Sequence, residues 1–310
     1  MNASRSPVVV VLGGINMDLV ATSERMPNLG ETIFGTSFHT APGGKGANQA
    51  VAAARLGAEV RMVGRVGDDQ FGPTLLEGMR SEGIDVSGVA VDPDNPSGVA
   101  LILLDEQAEN MIVAVYGANL ACDDAQVAAV DDALDGADVL LLQLETPLDV
   151  ALSAVALAKE WGATVVWDPA PALKMGHEAY RLCDVLTPNQ AEVEFLTGIA
   201  VTDPTSAEGA AKVLVEQGVR AAVVTLGSGG AFFLTRDESG LVPPFNVDAI
   251  DSVAAGDAFA AGLGIALAEG ESLAGAVKFG SAAGALAVTK SGAQEAMPYR
   301  AEVDALIARS

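Results

Sequence analysis

The feature of this sequence that most constrains its fold is a series of short, mostly apolar runs of strand length, which alternate with segments rich in Ala, Leu and Glu. Such runs, without regular polar alternation, predict strands buried on both faces of a sheet, and helices between them predict βαβ units. The chain is therefore expected to be an α/β protein with a central, mostly parallel sheet that helices cover on both faces. The runs are residues 8–12, 60–63, 139–144, 164–167, 184–186 and 221–226.

Two regions break this alternation. Residues 31–40 and 98–116 concentrate β-branched and aromatic residues in hairpin-like arrangements, and the second region is predicted to turn at 106–110. Their antiparallel strands either pair into a small sheet that projects as a lid or extend the edge of the main sheet. No internal repeat or linker divides the sequence, so we expect a single domain over 1–310. Its lid would comprise about residues 14–42 and 97–117.

The charge balance and the rare residues disfavour several classes of protein. The 310 residues include 17 Lys and Arg against 41 Asp and Glu, and the net charge of −24 repels nucleic-acid backbones and anionic lipid. We therefore expect neither nucleic acid nor a membrane as a partner. Two Cys and two His are too few and too scattered for a zinc site or a His-based triad. The N-terminal segment does not resemble a signal peptide, so a cytoplasmic location is expected.

Polar residues follow most of the predicted strands. In an open parallel sheet, ligands bind in the crevice at the carboxyl ends of the strands, where such side chains converge. Polar loops after strands are also common without any function. As a group, these residues predict a binding cleft at one edge of the sheet; they are Asn16, Asp18, Glu145, Asp168, Asn189, Gly227 and Ser228.

The segment APGGKGANQA, residues 41–50, combines a glycine-rich turn with the start of a predicted helix. Such a turn lets a ligand approach backbone N–H groups, while Lys45 and Asn48 supply side-chain donors to hydroxyls or phosphate. The GxxxxGK[ST] pattern is absent and no GxGxxG follows the first strand, which disfavours a P-loop enzyme and a dinucleotide-dependent oxidoreductase. The alternative is a tight turn that binds no ligand.

The segment DSVAAGD, residues 251–257, precedes another helix, which is predicted to begin near Asp257. The N–H groups of Ala254, Ala255 and Gly256 at this helix end suit an anion, notably the charge on a phosphoryl group during transfer. Asp257 is placed to accept the proton of an attacking hydroxyl, a role that an ordinary carboxylate fills in phosphoryl transfer. The alternative for Asp257 is a helix N-cap.

Two further segments suit a nucleotide. TLGSGG, residues 225–230, ends a strand with small residues that leave space over the backbone. TPNQAE, residues 187–192, places Asn189 and Glu192 three positions apart, within reach of one ligand or one metal-bound water. The alternative to nucleotide binding is a simple turn for TLGSGG and a helix-capping arrangement for TPNQAE.

Together these segments resemble the ribokinase, or PfkB-type, family of sugar kinases over essentially the whole chain. Their order and spacing also fit, and the resemblance implies a ribokinase-like α/β fold with a small antiparallel β lid. The matching segments are GGINMD (13–18), GGKGANQA (43–50), QLE (143–145), DPAPA (168–172), TPNQAE (187–192), TLGSGG (225–230), DSVAAGD (251–257) and KSGAQ (290–294).

The resemblance implies a role for each matching residue. The sugar hydroxyls would be held by Asn16, Asp18, Gly44, Lys45, Asn48 and Glu145. The base would be Asp257, and the anion hole would comprise Ala254, Ala255 and Gly256. ATP would be bound by Asn189, Thr225, Gly227, Ser228, Gly230 and Ser281. Mg²⁺ would be positioned through water by Glu192, and a K⁺ site would comprise Asp251, Val253, Ala287, Lys290 and Gly292.

The activity implied by the resemblance is ATP-dependent transfer of the γ-phosphoryl group to the 5-hydroxyl of D-ribose. The alternatives are another sugar such as 2-deoxyribose or a ketohexose, a nucleoside, or a catalytically silent binding protein on the same fold. The chain departs from the family at Ala258, Ser281 and Ala296, where Thr, His and Ser respectively are common. A projecting lid would expose an apolar face, which implies a homodimer that covers it.

Overall fold

The computed structural model describes residues 5–107 and 109–310, which form two β-sheets and a set of helices. The strands are β1 (Val8–Leu12), β2 (Asn16–Ser23), β3 (Gly35–Gly43), β4 (Glu59–Gly67), β5 (Asp85–Asp92), β6 (Gly98–Leu104), β7 (Asn110–Val115), β8 (Val139–Leu142), β9 (Thr164–Trp167), β10 (Val185–Leu186), β11 (Ala221–Thr225), β12 (Ala231–Leu234) and β13 (Ser239–Val242). The α-helices are α1 (Lys45–Arg55), α2 (Gly72–Ser81), α3 (Asp124–Ala133), α4 (Leu148–Trp161), α5 (Gly176–Leu182), α6 (Gln190–Thr197), α7 (Pro204–Gln217), α8 (Ala255–Ala268), α9 (Leu273–Ala287) and α10 (Arg300–Ala308). Short 3₁₀ helices span Gly117–Ala121, Gly227–Gly229 and Gln294–Ala296.

The larger sheet has nine strands in the order β13-β12-β11-β10-β9-β8-β1-β4-β5. Neighbouring strands are parallel from β11 to β5, whereas β12 and β13 are antiparallel additions at one edge. All six predicted runs form strands of this sheet, which confirms the α/β prediction. The sequence analysis misses three strands of this sheet: the buried β12, and the edge strands β5 and β13, in which partial exposure leaves Asp, Ser and Gly among the apolar residues.

Helices cover both faces of the larger sheet, and the side chains of each strand alternate between the two layers. In β1, Val9 and Val11 pack in the layer that contains α1, α8 and α9, while Val10 and Leu12 pack in the layer that contains α3, α4 and α7. All four side chains are fully buried, so the apolar run reflects a strand with a core on each side. Within the described residues, no helix combines the length and the apolar character that crossing a bilayer requires.

The smaller sheet has four strands in the order β3-β2-β6-β7. Strand β2 pairs antiparallel with β3 and parallel with β6, and β6 pairs antiparallel with β7. The two regions predicted as additional strands therefore join one separate sheet, with β2 between them, and do not extend the edge of the larger sheet. The predicted turn at 106–110 includes Ala108, which lies outside the described residues.

The chain passes from the larger sheet to the smaller one immediately after β1. Strand β1 ends at Leu12, and β2 begins at Asn16 after three residues. Asn16 and Asp18 therefore lie on a strand of the smaller sheet, within the residues 14–42 that the sequence assigns to the lid. Two positions apart on one strand, they share a face.

Candidate active site

The first part of the site is the turn that leads into α1. Gly44, directly before the helix, has φ 88° and ψ 131°, a conformation that favours glycine. A Cβ at Gly44 would lie 2.6 Å from the backbone nitrogen of Asn16 and 2.6 Å from the carbonyl oxygen of Gly14. This close approach joins the smaller sheet to the start of α1, where Lys45 and Asn48 lie.

Asp257 lies in the first turn of α8 and is only 2% exposed. Its Oδ2 accepts a hydrogen bond from Nδ2 of Asn48 over 3.0 Å, and its Oδ1 accepts one from Nε2 of Gln49 over 3.2 Å. Helix α8 begins at Ala255, earlier than predicted, after Ala254 in the left-handed conformation at φ 58°. Asp257 is therefore not the N-cap of α8, and its carboxylate is held between α8 and α1.

Two further carboxylates lie against glycine backbone near the start of α1. Oε2 of Glu145, which follows β8, accepts a hydrogen bond from the backbone N–H of Lys45 over 2.8 Å. A Cβ on Gly14 would lie 2.2 Å from that oxygen, and a Cβ on Gly43 would lie 2.4 Å from Oδ2 of Asp18. The glycines of GGINMD and GGKGANQA therefore leave the space that these carboxylates occupy.

Burial shifts the ionisation of this cluster. Burial, with a contribution from the charge of Asp257, raises the pKa of Asp18 to about 6. Burial raises the pKa of Glu145 to about 7 and also raises the pKa of Asp257, in both cases against the opposing effect of Lys45. Burial alone would lower the pKa of Lys45, but Asp257, Asp168 and Glu145 reverse this effect and raise it. A single ammonium group thus favours the ionised forms of several buried carboxylates.

Four buried residues of the cluster have no role implied by the family resemblance: Gln49, Asn119, Gln143 and Asp168. Nε2 of Gln49 also donates to Oδ2 of Asp168 over 3.3 Å, and its Oε1 accepts from Nε2 of Gln143 over 2.5 Å. Gln49, Gln143 and Asp168 belong to segments that match the family, so the sequence contained a signal that these residues lie at the site. Asn119 lies outside all of these segments.

A cavity of about 360 Å³ lies beside the first turn of α8. Its walls are mostly small or apolar, which leaves room for a flat ligand over the backbone. The predicted ATP and anion-hole residues that line it are Thr225, Gly227, Ser228, Gly230, Ala255, Gly256 and Ser281. The cavity thus extends to the positive end of α8, next to Asp257.

Asn189 and Glu192 lie at the start of α6 and do not line this cavity, but Asn189 forms a β-bridge with Thr225, which does. Oδ1 of Asn189 accepts from the N–H of Glu192 over 2.9 Å, and Oε2 of Glu192 accepts from the N–H of Asn189 over 2.8 Å. The helix-capping arrangement, which is the alternative to ligand binding for this segment, is therefore present. Burial raises the pKa of Glu192, and the charges of Lys45 and Asp257 also act on it. The cap thus also brings a carboxylate close to the cluster.

Two loops meet before the start of α8. Oδ1 of Asp251 accepts from the N–H of Val253 over 3.0 Å, and its Oδ2 accepts from the N–H of Gly292 over 3.1 Å. The N–H of Lys290 donates to the carbonyl oxygen of Ala287 at the end of α9 over 3.3 Å. In residues 5–107 and 109–310, no group of three or more His, Cys, Asp or Glu side chains is arranged to hold a metal ion. A cation at these loops would therefore need backbone carbonyl oxygens as ligands.

The chain is similar to known sugar kinases over nearly its whole length. Residues 7–300 match the family described as pfkB family carbohydrate kinase. The chain is 42% identical over 294 residues to a ribokinase of Haemophilus influenzae, which covers 95% of this chain and 96% of that protein. It is 37% identical to a deoxyribokinase of Salmonella typhi, over 94% of this chain and 95% of that protein. The solved structure of Arabidopsis thaliana ribokinase complexed with ribose and ATP is 30% identical, with a TM-score of 0.89 over 98% of this chain and 99% of that one.

Proposed function

This chain belongs to the pfkB family of carbohydrate kinases, and we propose that it is an ATP-dependent kinase that phosphorylates the 5-hydroxyl of D-ribose to give ribose 5-phosphate and ADP. The position of Asp257 carries this proposal. Its buried carboxylate lies between the polar cluster around Lys45 and the cavity at the positive end of α8. This position supports the role of base for Asp257, because it lies between a polar site suited to a sugar and a cavity suited to a nucleotide.

In the proposed reaction, Asp257 accepts the proton of the sugar hydroxyl while that oxygen bonds to the γ-phosphorus of ATP. The bond from the γ-phosphorus to the bridging oxygen breaks, and the electron pair leaves with ADP. The N–H groups of Ala254, Ala255 and Gly256 stabilise the charge on the transferring group, because they lie at the positive end of α8. The sugar hydroxyls are held by Asn16, Asp18, Gly44, Lys45, Asn48 and Glu145.

D-ribose is the preferred acceptor because the ribokinase relatives match nearly the whole chain, and 2-deoxyribose is the second candidate because a deoxyribokinase matches to a similar extent. Oδ1 of Asn48 is buried and accepts no hydrogen bond within the described residues. A buried acceptor of this kind favours a ligand that brings a hydroxyl to it. Because ATP and free pentose meet inside the cell, a cytoplasmic location is part of this proposal.

Two cations complete the proposed site. Mg²⁺ keeps several waters and is held by one or two carboxylates together with substrate phosphates, which fits the single carboxylate of Glu192. In the two loops that meet through Asp251 before α8, the ligands of K⁺ would be the carboxylate of Asp251 and the backbone carbonyl oxygens of Val253, Ala287, Lys290 and Gly292, and such oxygens suit K⁺. When bound, Mg²⁺ neutralises charge on the phosphates of ATP, which matters in a protein of net charge −24.

A homodimer through the smaller sheet is also part of this proposal. The strand register places Phe38, Leu101, Met111 and Val113 on the face opposite Asp18. All four side chains are between 47% and 67% exposed. An exposed apolar face of this extent typically marks an interaction surface, and a second copy of the same face is its simplest cover.

The test is ADP release with Mg-ATP and K⁺ in the presence of ribose, 2-deoxyribose, fructose, adenosine or buffer alone. We expect ribose-dependent turnover that falls by about 10²- to 10⁴-fold in Asp257→Asn, the usual contribution of a general base. Ribose binding, followed by calorimetry, should persist in this variant. If another sugar or adenosine gives faster turnover than ribose, that compound is the substrate of this kinase instead of ribose. Binding of ribose and ATP without turnover would indicate a silent binding protein.

A further inference from the structure

We propose that Gln49 is a positioning residue that holds the carboxylate of Asp257 in the orientation required of the base. This inference rests on the proposed function, in which Asp257 takes the proton of the sugar hydroxyl. Gln49 is fully buried in α1, and the two helices that its side chain joins, α1 and α8, pack against each other.

The orientation of the Gln49 amide follows from its neighbours. Its Nε2 lies 3.2 Å from Oδ1 of Asp257 and 3.3 Å from Oδ2 of Asp168. Burial raises the pKa of Asp168, but Asp257 acts as the base in its ionised form, and an ionised carboxylate only accepts hydrogen bonds. The NH₂ group must therefore face both side chains, and Oε1 must face the donor on its other side. That donor is Nε2 of Gln143, at 2.5 Å. Both hydrogens of the Gln49 NH₂ group are thus used on the two carboxylates.

Asn48 and Gln49 hold the two oxygens of Asp257 from consecutive positions of α1. The carboxylate thus has a donor on each oxygen, which fixes its rotation about the Cβ–Cγ bond. Asn48 is also a proposed sugar ligand, so its amide must serve the substrate and the base together. Gln49 is fully buried and none of its three side-chain partners, Asp257, Asp168 and Gln143, is a proposed sugar ligand, so we expect it to hold the base whether or not sugar is bound.

The charges around Asp257 make the NH₂ group of Gln49 more important for keeping Asp257 ionised. The titratable groups that act on it come from five other segments: Lys45 on α1, Asp18 on β2, Glu145 after β8, Asp168 after β9 and Glu192 on α6. Four of the five are carboxylates, and Gln49 is bonded to both Asp257 and Asp168. Without its NH₂ group, these two carboxylates would face each other without a shared donor, and the protonated form of Asp257 would be favoured.

The test compares Gln49→Met with the wild-type protein. Methionine has a similar length and no donor, so Asp257 loses one hydrogen bond and the volume is kept. We expect kcat to fall by about 10- to 100-fold, the usual effect of removing a hydrogen bond to a charged group, with a smaller change in the KM for ribose. The acidic limb of the pH profile of kcat should move to higher pH, because loss of a donor favours the protonated carboxyl.

The matched control is Gln126→Met. Gln126 is buried in α3 and accepts a hydrogen bond from the N–H of Asp123 over 3.0 Å, and its contacts lie outside the site. A pH profile and a kcat for Gln49→Met equal to those of Gln126→Met would overturn the proposal. If Gln49→Met does not fold, Gln143→Met releases Oε1 of Gln49 and should shift the same limb in the same direction. An unshifted limb in that variant would equally overturn the proposal.

If the proposed function itself is wrong, the experiment gives a different result. In that case the wild-type protein itself shows no sugar-dependent ADP release. The carboxyl of Asp257 can then be titrated by carbon NMR, without any substrate. A higher pKa in Gln49→Met than in the wild-type protein would support the role of Gln49, and equal values would overturn it.

Discussion

Nδ2 of Asn119 donates a hydrogen bond to Oδ1 of Asn16 over 2.8 Å, and both side chains are buried. Asn119 is itself fixed, because its Oδ1 accepts from the N–H of Ile15 over 2.9 Å and its Nδ2 also donates to the carbonyl oxygen of Tyr116 over 2.9 Å. The amide of Asn16 therefore has one orientation. Its oxygen is bonded to Asn119, so its NH₂ group is the part of the amide that can donate to the proposed sugar.

Asn119→Asp should weaken sugar binding through Asn16. The new carboxylate oxygen would repel Oδ1 of Asn16 and favour rotation of that amide, so that an acceptor replaces the donor to the sugar. We expect the KM for ribose to rise by about 10-fold or more, with a smaller change in kcat. Initial-rate kinetics measure both constants, and the exposed Asn110→Asp is the matched control. Equal KM values for the two variants would contradict this role of Asn119.

Gly98→Ala should disturb the same pair of asparagines. Gly98 is paired with Asn16 across β6 and β2, and a Cβ there would lie 2.0 Å from Oδ1 of Asn16 and 2.3 Å from Nδ2 of Asn119. We expect a loss of about 1–3 kcal/mol in the free energy of unfolding and a higher KM for ribose. In the control Gly78→Ala, in α2, the Cβ meets nothing within 4 Å, and a gain of about 0.4–1 kcal/mol is expected. Urea unfolding of both variants measures the change in the free energy of unfolding, which should be a loss for Gly98→Ala and a gain for Gly78→Ala.

Stability should depend on pH through Glu145. Its pKa is about 7 in the folded protein against an ordinary 4.5, so the folded state holds an additional proton between these values. This stabilising contribution is complete below pH 4.5 and is lost as the pH rises through 7. The free energy of unfolding of Glu145→Gln, minus that of the wild-type protein, should therefore increase over this range by at most about 3 kcal/mol. Denaturation from pH 4.5 to 8 tests this, with the exposed Glu106→Gln as control.

Val113→Asp should separate the proposed dimer. It places a charge in the exposed apolar face of the smaller sheet, where desolvation on association would be costly. We expect sedimentation to give the mass of a dimer for the wild-type protein at micromolar concentration and that of a monomer for the variant. Val91→Asp, on the edge strand β5 of the larger sheet, should remain dimeric. A monomeric wild-type protein would refute the dimer.

The sequence predicts the core of the fold better than its junctions. Runs such as Val8–Leu12 are legible because a strand with helices on both faces needs apolar side chains at every position. The sequence assigns Asn16 and Asp18 to the lid region of about 14–42, but it does not predict the strand β2 that carries them, because polar side chains interrupt its apolar pattern. A mixed pattern of Asp, Ser and Gly likewise hides the edge strands.

Within the site, the motifs indicate candidate ligand-binding residues, but they do not indicate the hydrogen bonds that support those residues. Lys45, Asn48 and Asp257 lie in glycine-rich or small-residue turns that indicate a ligand. The supporting roles of Gln49 and Asn119 arise from hydrogen bonds to residues far away in the sequence, and a single buried amide has no periodicity or spacing of its own. Their functions therefore become visible only when the helices and sheets are assembled.

The hydrogen bonds between α1 and Asp257 join the proposed sugar site to the proposed nucleotide site. Asp257 belongs to α8, which borders the cavity proposed for the nucleotide, whereas Asn48 and Lys45 on α1 belong to the proposed sugar site. A sugar that fixes α1 against α8 lowers the cost of ordering the nucleotide side, so each substrate should increase the affinity for the other. By linkage the two factors are equal, and calorimetry of ribose with and without a non-hydrolysable nucleotide gives the coupling free energy.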